Sequence, residues 1–375
     1  MKTYPLKSIS VEQAKNLQFK VVDAITHEFN GQEVLSLGDL GVVPGLNKPD
    51  TTLKAERALA RIFDTEGAVF VRGAGTAAIR WALHSAIKSP ETLLIHSAAV
   101  YSTTKTTIEM LGLKTLGCNF NDIEQVRFTV REHPEIRAAL VQYTRQSLED
   151  SYDMEEVISA IKAGARDAGR DITVITDDNY AVMKVEKTGV QCGADMSCFS
   201  CFKLLGPEGI GCVIGRNTYI DRIVRCQYSG GSQTQGHEAM EVLRGLVYAP
   251  VALAIQAEVN QVLVNRLLRG EVPCVKDAFL ANAQSKVLLV EFEKPIAQAV
   301  LQQALKLGAA PNPVGAESKY EVVPMFYRVS GTFRATDPSL ADRMIRINPM
   351  RSGADTVIRI LNLAVRAAMK ENRSA

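Results

Sequence analysis

The chain has 375 residues, more than one hydrophobic core ordinarily organises, so a large domain and a smaller one are expected. Its 43 basic and 41 acidic residues give a formal net charge of +2, which leaves no charge excess for nucleic acid or an anionic membrane. The opening MKTYPLKSISVEQ lacks the apolar stretch of a signal peptide, Val247 to Val259 is short and broken by Pro250 and Gln256, and the seven cysteines are odd in number and scattered, so a cytoplasmic protein with reduced thiols is expected.

Residues 1–50 end in SLGDLGVVPGLNKPD, whose glycines and prolines read as loop, and they are expected to pack as an N-terminal arm. A helical pattern runs from Leu53 to Phe63. After Gly67 the β-rich AVFVR gives way to the tight turn GAGT and a helix from Ala77 to Ile87. The alternation continues with strand LLIH, helix Thr103–Leu111, a strand near Thr115 to Phe120, helix Ile123–Glu132, strand AALVQY, helix Met154–Asp167 and strand TVIT. Strands separated by helices imply a parallel sheet. Strands SCFSCF and IGCVIG follow with only KLLGPEG between them, too short for a crossover, so this pair is expected to be antiparallel.

A long helix from Glu238 to about Leu268 leads towards GEVPC. Strand KVLLVEF, helix Ile296–Leu307, strand MIRIN and a final helix from Asp355 to Met369 then read as a small α+β unit. The expected fold class is therefore α/β. A large cofactor-binding domain with its linking helix, 51–268, would hold a mostly parallel sheet of the seven-stranded type covered by helices, and 269–375 would form the smaller domain. The Cys198–Cys201 pair has redox or metal spacing but lies in an apolar run, and side chains three apart on a strand face opposite ways, so both read as buried hydrophobes. The five histidines make no ligand spacing, and no metal is expected.

Ligands of open α/β sheets bind at the carboxyl ends of the strands, which here read GAGT, HSAAVY, QYTRQ, TDDNY and SCFK. Gly73–Thr76 opens a helix whose unpaired N–H groups and positive dipole end suit a phosphate. GAGTAA also fits the permissive dinucleotide pattern GxGxxA, which leaves an NAD(P)-binding oxidoreductase as an alternative. That alternative needs an acid after the next strand, where the chain has His96, Ser97 and Ala98. Lys203 ends an apolar strand, where an ammonium is costly unless it has a task or a partner. It can form a Schiff base there, or it can lie in a turn and reach water. Asp177 ends TVIT and could keep a pyridine nitrogen protonated, with Tyr180 nearby; helix or turn capping is the plainer role for it or Asp178.

Together these segments resemble the pyridoxal-phosphate-dependent transferases with the aspartate aminotransferase fold, over about residues 50–350. Ala74-Gly75-Thr76-Ala77-Ala78-Ile79 is similar to the phosphate-binding segment of the cystathionine-synthase and methionine γ-lyase branch, and Tyr101-Ser102-Thr103-Thr104 to the family's YxxT with its ring-stacking aromatic. Asp177 to Tyr180 resembles DxxY, and Ser200-Cys201-Phe202-Lys203 resembles SxxK followed by KxLGGP. A branch with DNT in this place would put the acid at Asp178; DxxY favours Asp177. QYTRQ departs from the NPTG and ESPSNP segments of the main branches, and as a whole the chain is most similar to an aminotransferase-like group of enterobacterial proteins.

The resemblance implies pyridoxal 5′-phosphate on Lys203, with Ala74, Gly75, Thr76 and Ser200 at its phosphate, Tyr101 on its ring, Asp177 at its nitrogen and Tyr180 near its phenolic oxygen. Lys203, Asp177 and Tyr101 would be the catalytic set. Arg346, in an IRIN segment similar to the family's IRLS, would grip the carboxylate of an amino acid, with Arg334 and Arg351 as competitors. A homodimer with a shared active site is implied too, the loop Tyr228–Gly236 reaching a neighbour's phosphate. Transamination is the expected reaction; carbon–sulfur or related β/γ-elimination, and racemisation, start from the same proton removal.

Overall fold

The structure, a computed structural model, describes residues 3–374 apart from 145, 148, 284, 316, 331–333, 335 and 336. Helix α1 (Val11–Glu28) starts at a capping box in which Ser10 and Gln13 satisfy each other's backbone N–H groups. It buries Val21, Ala24 and Ile25 in the core shared with α3 (Asp50–Ile62), while one turn, α2 (Gly31–Val34), lies between them. Within α3, Glu56 accepts the Phe70 backbone N–H at 3.0 Å and pairs with buried Lys48 at 2.6 Å. Phe70 lies on the edge strand of the sheet, so Glu56 satisfies a donor that no neighbouring strand reaches.

Next come β1 (Gly67–Arg72), α4 (Ala74–Ala86), β2 (Thr92–His96), α5 (Ser102–Met110), β3 (Lys114–Cys118), α6 (Ile123–Glu132), β4 (Ile136–Gln142), α7 (Met154–Asp167), β5 (Thr173–Asp177), β6 (Met196–Ser200) and β7 (Ile210–Gly215). The seven strands form one sheet in the order β1-β7-β6-β5-β4-β2-β3. Only β7 is reversed, running antiparallel to both β1 and β6. The carboxyl ends of β1, β2, β4, β5 and β6 therefore share one edge, with the candidate residues on it.

Helix α8 (Asn217–Cys226) leads to α9 (Gly236–Leu268), which packs on α1 and α3 at its start and on β8 later. The second sheet is antiparallel, in the order β10-β11-β9-β8, from β8 (Val275–Ala283), β9 (Ser285–Phe292), β10 (Met325–Arg328) and β11 (Met344–Asn348). Helices α10 (Ala297–Lys306) and α12 (Ala354–Ser374) cover it around Leu288, Val290, Phe292 and Ile347, and α11 (Leu340–Arg343) is a single turn.

Two local expectations change, and two strands appear that the sequence did not announce. Helix α4 begins at Ala74, three residues earlier than its apolar pattern suggests, because Gly73 takes a left-handed conformation (φ 107°) that turns β1 directly into the helix. The SCFSCF strand stops at Ser200, and Cys201–Leu204 form a 3₁₀ turn that holds Lys203. Strands β8 and β10 carry no clear alternation: a bulge between Val275 and Asp277 breaks the period in β8, and β10 is four residues long.

Candidate active site

The turn after β1 is built for close approach. Gly73 and Ala74 both donate N–H bonds to the Gly209 carbonyl, at 2.7 and 2.9 Å. The next amides, of Gly75 and Thr76, fall in the first helical turn, where no intrahelical carbonyl exists for them. A Cβ on Gly75 would stand 2.4 Å from Asn179 Oδ1, so only glycine lets α4 come this near the end of β5. Thr76 Oγ1 bonds Thr103 Oγ1 at 3.2 Å, which joins this turn to α5, the helix Tyr101 caps.

Asp177 and Lys203 meet through Asn179. The Asn179 side-chain amide donates to Asp177 Oδ1 at 2.7 Å and its backbone N–H to the same oxygen at 3.0 Å. Its own Oδ1 accepts from the Ser200 backbone N–H at 3.0 Å and from Lys203 Nζ at 3.3 Å. Lys203 Nζ also lies 3.9 Å from the centroid of the Tyr180 ring. Burial pushes the Lys203 ammonium down to about 8, against the opposing pull of Asp177 and Glu317. Burial raises the Asp177 carboxyl as well, while the Asn179 bonds and the Lys203 charge work the other way.

Asp178 faces the opposite side. It is fully buried, and its Oδ2 accepts the Gly189 backbone N–H at 2.8 Å, tying down the loop after β5. Burial pushes its carboxyl up to about 6. Of the two aspartates, Asp177 is the one that faces Lys203. Cys198 and Cys201 are free and buried in different core clusters on either side of the sheet. Among the described residues no group of three or more His, Cys, Asp or Glu is placed to hold a metal ion.

From the smaller domain, Arg346 comes within electrostatic reach of Tyr180 in the large domain. Its guanidinium stacks 4.1 Å from the centroid of the Tyr327 ring, its cross-strand partner, and Nε donates to the Arg328 carbonyl at 2.7 Å. Its NH1 is buried without a hydrogen-bond partner. Burial lowers the Arg346 pKa, opposed by Tyr327 and by Tyr180 across the domain boundary. Of its competitors, Arg334 is exposed, and Arg351 gives NH1 to Gln256 Oε1 at 3.1 Å while its NH2, like Arg346 NH1, is buried without a partner.

Four residues to which the sequence reading gave no role join these groups. Asn179 stood inside the DDNY segment and could have been suspected as an amide two residues after the acid at the end of β5. Lys184, Gln256 and Glu317 left no signal, because they come from three distant segments. Glu317 is buried, bonds Lys184 Nζ, and accepts from Gln256 Nε2 at 3.0 Å, linking both domains beside Lys203.

A sheet with one reversed strand beside the edge strand, an amine and a buried carboxylate on adjacent strand ends, and an arginine from a second domain define a class. The class-V aminotransferase family model matches residues 50–242, and the chain belongs to that family. The YhfS-like C-terminal domain model matches residues 261–361. The YhfS protein of Escherichia coli K12 is 51% identical over 365 residues, covering 97% of this chain and 99% of that protein. A solved Escherichia coli structure, described as the pyridoxal-5′-phosphate dependent protein YhfS, is similar with a TM-score of 0.94 over 98% of this chain and 99% of that one. The cystathionine γ-lyase CalE6 of Micromonospora echinospora, at 16% identity, shares the fold with a TM-score of 0.67 over 86% of this chain and 88% of that one.

The dinucleotide-binding alternative is set aside. That fold builds its sheet in the order 3-2-1-4-5-6 from parallel strands, whereas here antiparallel β7 separates β1 from β6. His96, in the place of the acid that fold needs, is buried against Asp150.

Proposed function

We propose that this protein is a pyridoxal-phosphate-dependent aminotransferase of small amino acids in which Lys203 carries the cofactor aldehyde. The observation that carries the reading is the single side chain, Asn179, joining Lys203 Nζ to Asp177 Oδ1 on adjacent strand ends. The residues fit the cofactor at each of its groups. The Gly75 and Thr76 amides, with Ala74 and Ser200 beside them, suit the phosphate, because a helix start without a side chain lets an anion reach the backbone. Asp177 suits the ring nitrogen, Tyr101 at 48% exposure is available to lie on the ring face, and Tyr180 sits beneath the lysine.

When bound, the cofactor supplies an electron sink for the α-carbon. Lys203 Nζ would be placed to take the substrate's α-proton and return it. Asp177 would hold a proton on the ring nitrogen. Arg346 grips the substrate carboxylate with a planar fork, and its unpartnered NH1 fits that task. Elimination of a β or γ substituent is the alternative, because it begins with the same proton removal.

The reading includes a homodimer with a shared site. Leu35, Leu37 and Leu40 are 85%, 77% and 74% exposed. The neighbouring loop holds Tyr228, 80% exposed, and bonds this segment through Asn47 to the Tyr228 carbonyl and Gln235 to the Gly41 amide. An apolar surface of this kind is one that a second copy would cover. Seven free cysteines suit the reducing cytoplasm.

Borohydride reduction of the yellow protein should fix the cofactor to the Lys203 peptide; label on another residue ends the proposal. Turnover of amino acids should require an oxo-acid acceptor and release no ammonia. Ammonia without an acceptor would establish elimination instead.

A further inference from the structure

The end of β2 holds a buried histidine–aspartate pair that the proposed chemistry does not use. His96 and Asp150 side chains are only 2% and 3% exposed, with Nε2 and Oδ1 3.0 Å apart. His96 Nδ1 lies 3.1 Å from the Phe120 backbone nitrogen and 3.2 Å from the Cys118 carbonyl oxygen, so both ring nitrogens are engaged, Nε2 by Asp150. The imidazole is stacked on Phe120 and met edge-on by Tyr152, with centroids 5.2 and 5.4 Å away. The orientation of the ring is therefore set from three sides.

Asp150 spends both oxygens on backbone and side-chain donors. Oδ1 also accepts from Asn121 Nδ2 at 3.1 Å, and Oδ2 accepts the Gln146 and Ser147 backbone N–H groups at 3.0 and 2.7 Å. Gln146, held in this way, sends its side-chain amide to the carbonyls of Ala99 and Ala98 at 3.1 and 3.4 Å. Those two residues lie two and three positions before Tyr101, which caps α5 and is 48% exposed. One hydrogen-bonded path thus runs from the end of β2, through Asp150 and Gln146, to the segment that aims the tyrosine ring.

We infer that His96 and Asp150 are positioning residues for Tyr101: through Gln146 they hold the Ala98–Tyr101 segment where its ring can cover the cofactor. The inference rests on the cofactor reading above. A buried pair serving stability alone would have no need of the Gln146 side chain, whose bonds to Ala98 and Ala99 lie outside the pair. A buried carboxylate that orders two backbone amides costs desolvation and returns rigidity, and rigidity matters most where an aromatic must wait in place for a ligand.

The test uses apoprotein of the full chain, wild type and the variants D150N, Q146L and Y101A, with D150N and Q146L each also combined with Y101A. Titration with pyridoxal phosphate, read by absorbance, should show D150N and Q146L weakening cofactor binding by about three- to tenfold, as expected for coupled neighbours. Adding either to Y101A should weaken it little further, because the residues act through Tyr101. Fully multiplicative losses, or unchanged binding in both variants, would overturn the inference. Amide exchange of residues 97–101 in the apoprotein should quicken in Q146L with its melting temperature unchanged, a readout a purely stabilising role would not move. If D150N does not fold, Q146L carries the test, since Gln146 lies outside the buried pair. Failure of the borohydride label at Lys203 in wild type would sink the cofactor reading, while the exchange rates would still decide whether this path holds the segment.

Discussion

Lys203 Nζ rests 3.9 Å above the centre of the Tyr180 ring, a face of negative potential that accepts its ammonium form. Burial acts in the opposite direction and brings the amine down to about 8. The lysine is thus held in place while charged and becomes a nucleophile within reach of neutral pH. Tyr180 can occupy that position because its backbone takes a positive φ of 65°, which folds the chain back under the 3₁₀ turn.

The rate at which apoprotein combines with pyridoxal phosphate should follow the neutral fraction of Lys203. It should rise about fivefold from pH 7 to pH 8 and level off above about pH 9. A rate still climbing at pH 10 would mean an ordinary lysine. Stopped-flow absorbance measures it, and K203A should show no such phase.

Substitution of the two aspartates should separate their tasks. D177N is expected to retain cofactor yet lose turnover by a factor on the order of a hundred or more, since an amide does not hold the ring nitrogen charged. D178N should stay within about tenfold of wild type, because Asp178 faces away and serves the Gly189 amide. The reverse pattern in steady-state assays would move the ring contact to Asp178.

Asp178 carries its own pH signature. Its carboxyl titrates near 6 when folded, above the value of 3.8 for a free aspartate, so the native state binds more protons than the unfolded state between those limits. Stability from this group therefore grows as pH falls through about 6 and is lost as pH rises. Urea unfolding of wild type and D178N should differ more in favour of wild type at pH 5 than at pH 7.5.

R346K should leave the colour of the protein intact and raise the substrate KM by about tenfold or more, because a bidentate grip becomes a point charge. Equal turnover of amines lacking a carboxylate, or an unchanged KM, would remove Arg346 from the substrate site.

The exposed leucines predict an oligomer. L37D combined with L40D should convert a dimer into monomer in sedimentation velocity and reduce cofactor retention if the site is shared. A wild-type protein that sediments as a monomer would count against the shared site.

The residues themselves determined the large domain. Its periodicities place α6 and α7 at Ile123–Glu132 and Met154–Asp167, as their patterns predict, since a buried stripe on a surface helix leaves a 3.6-residue record. The short KLLGPEG connection required the reversed β7 by length alone, and the chemistry-bearing residues follow strand ends that periodicity locates. Lys203 and Asp177 were legible for that reason. What only the tertiary structure decided is whatever depends on contact between distant segments. Asp177 and Asp178 look alike in sequence; as neighbours at the end of β5 they face opposite ways, and which of them faces Lys203 depends on where β6 lies. Glu317, Lys184 and Gln256 meet because α9 carries the smaller domain back over the first, and no local pattern records a contact across that much chain. The same holds for His96 and Asp150, 54 residues apart, whose pairing follows from β2 and β4 lying side by side in the folded sheet.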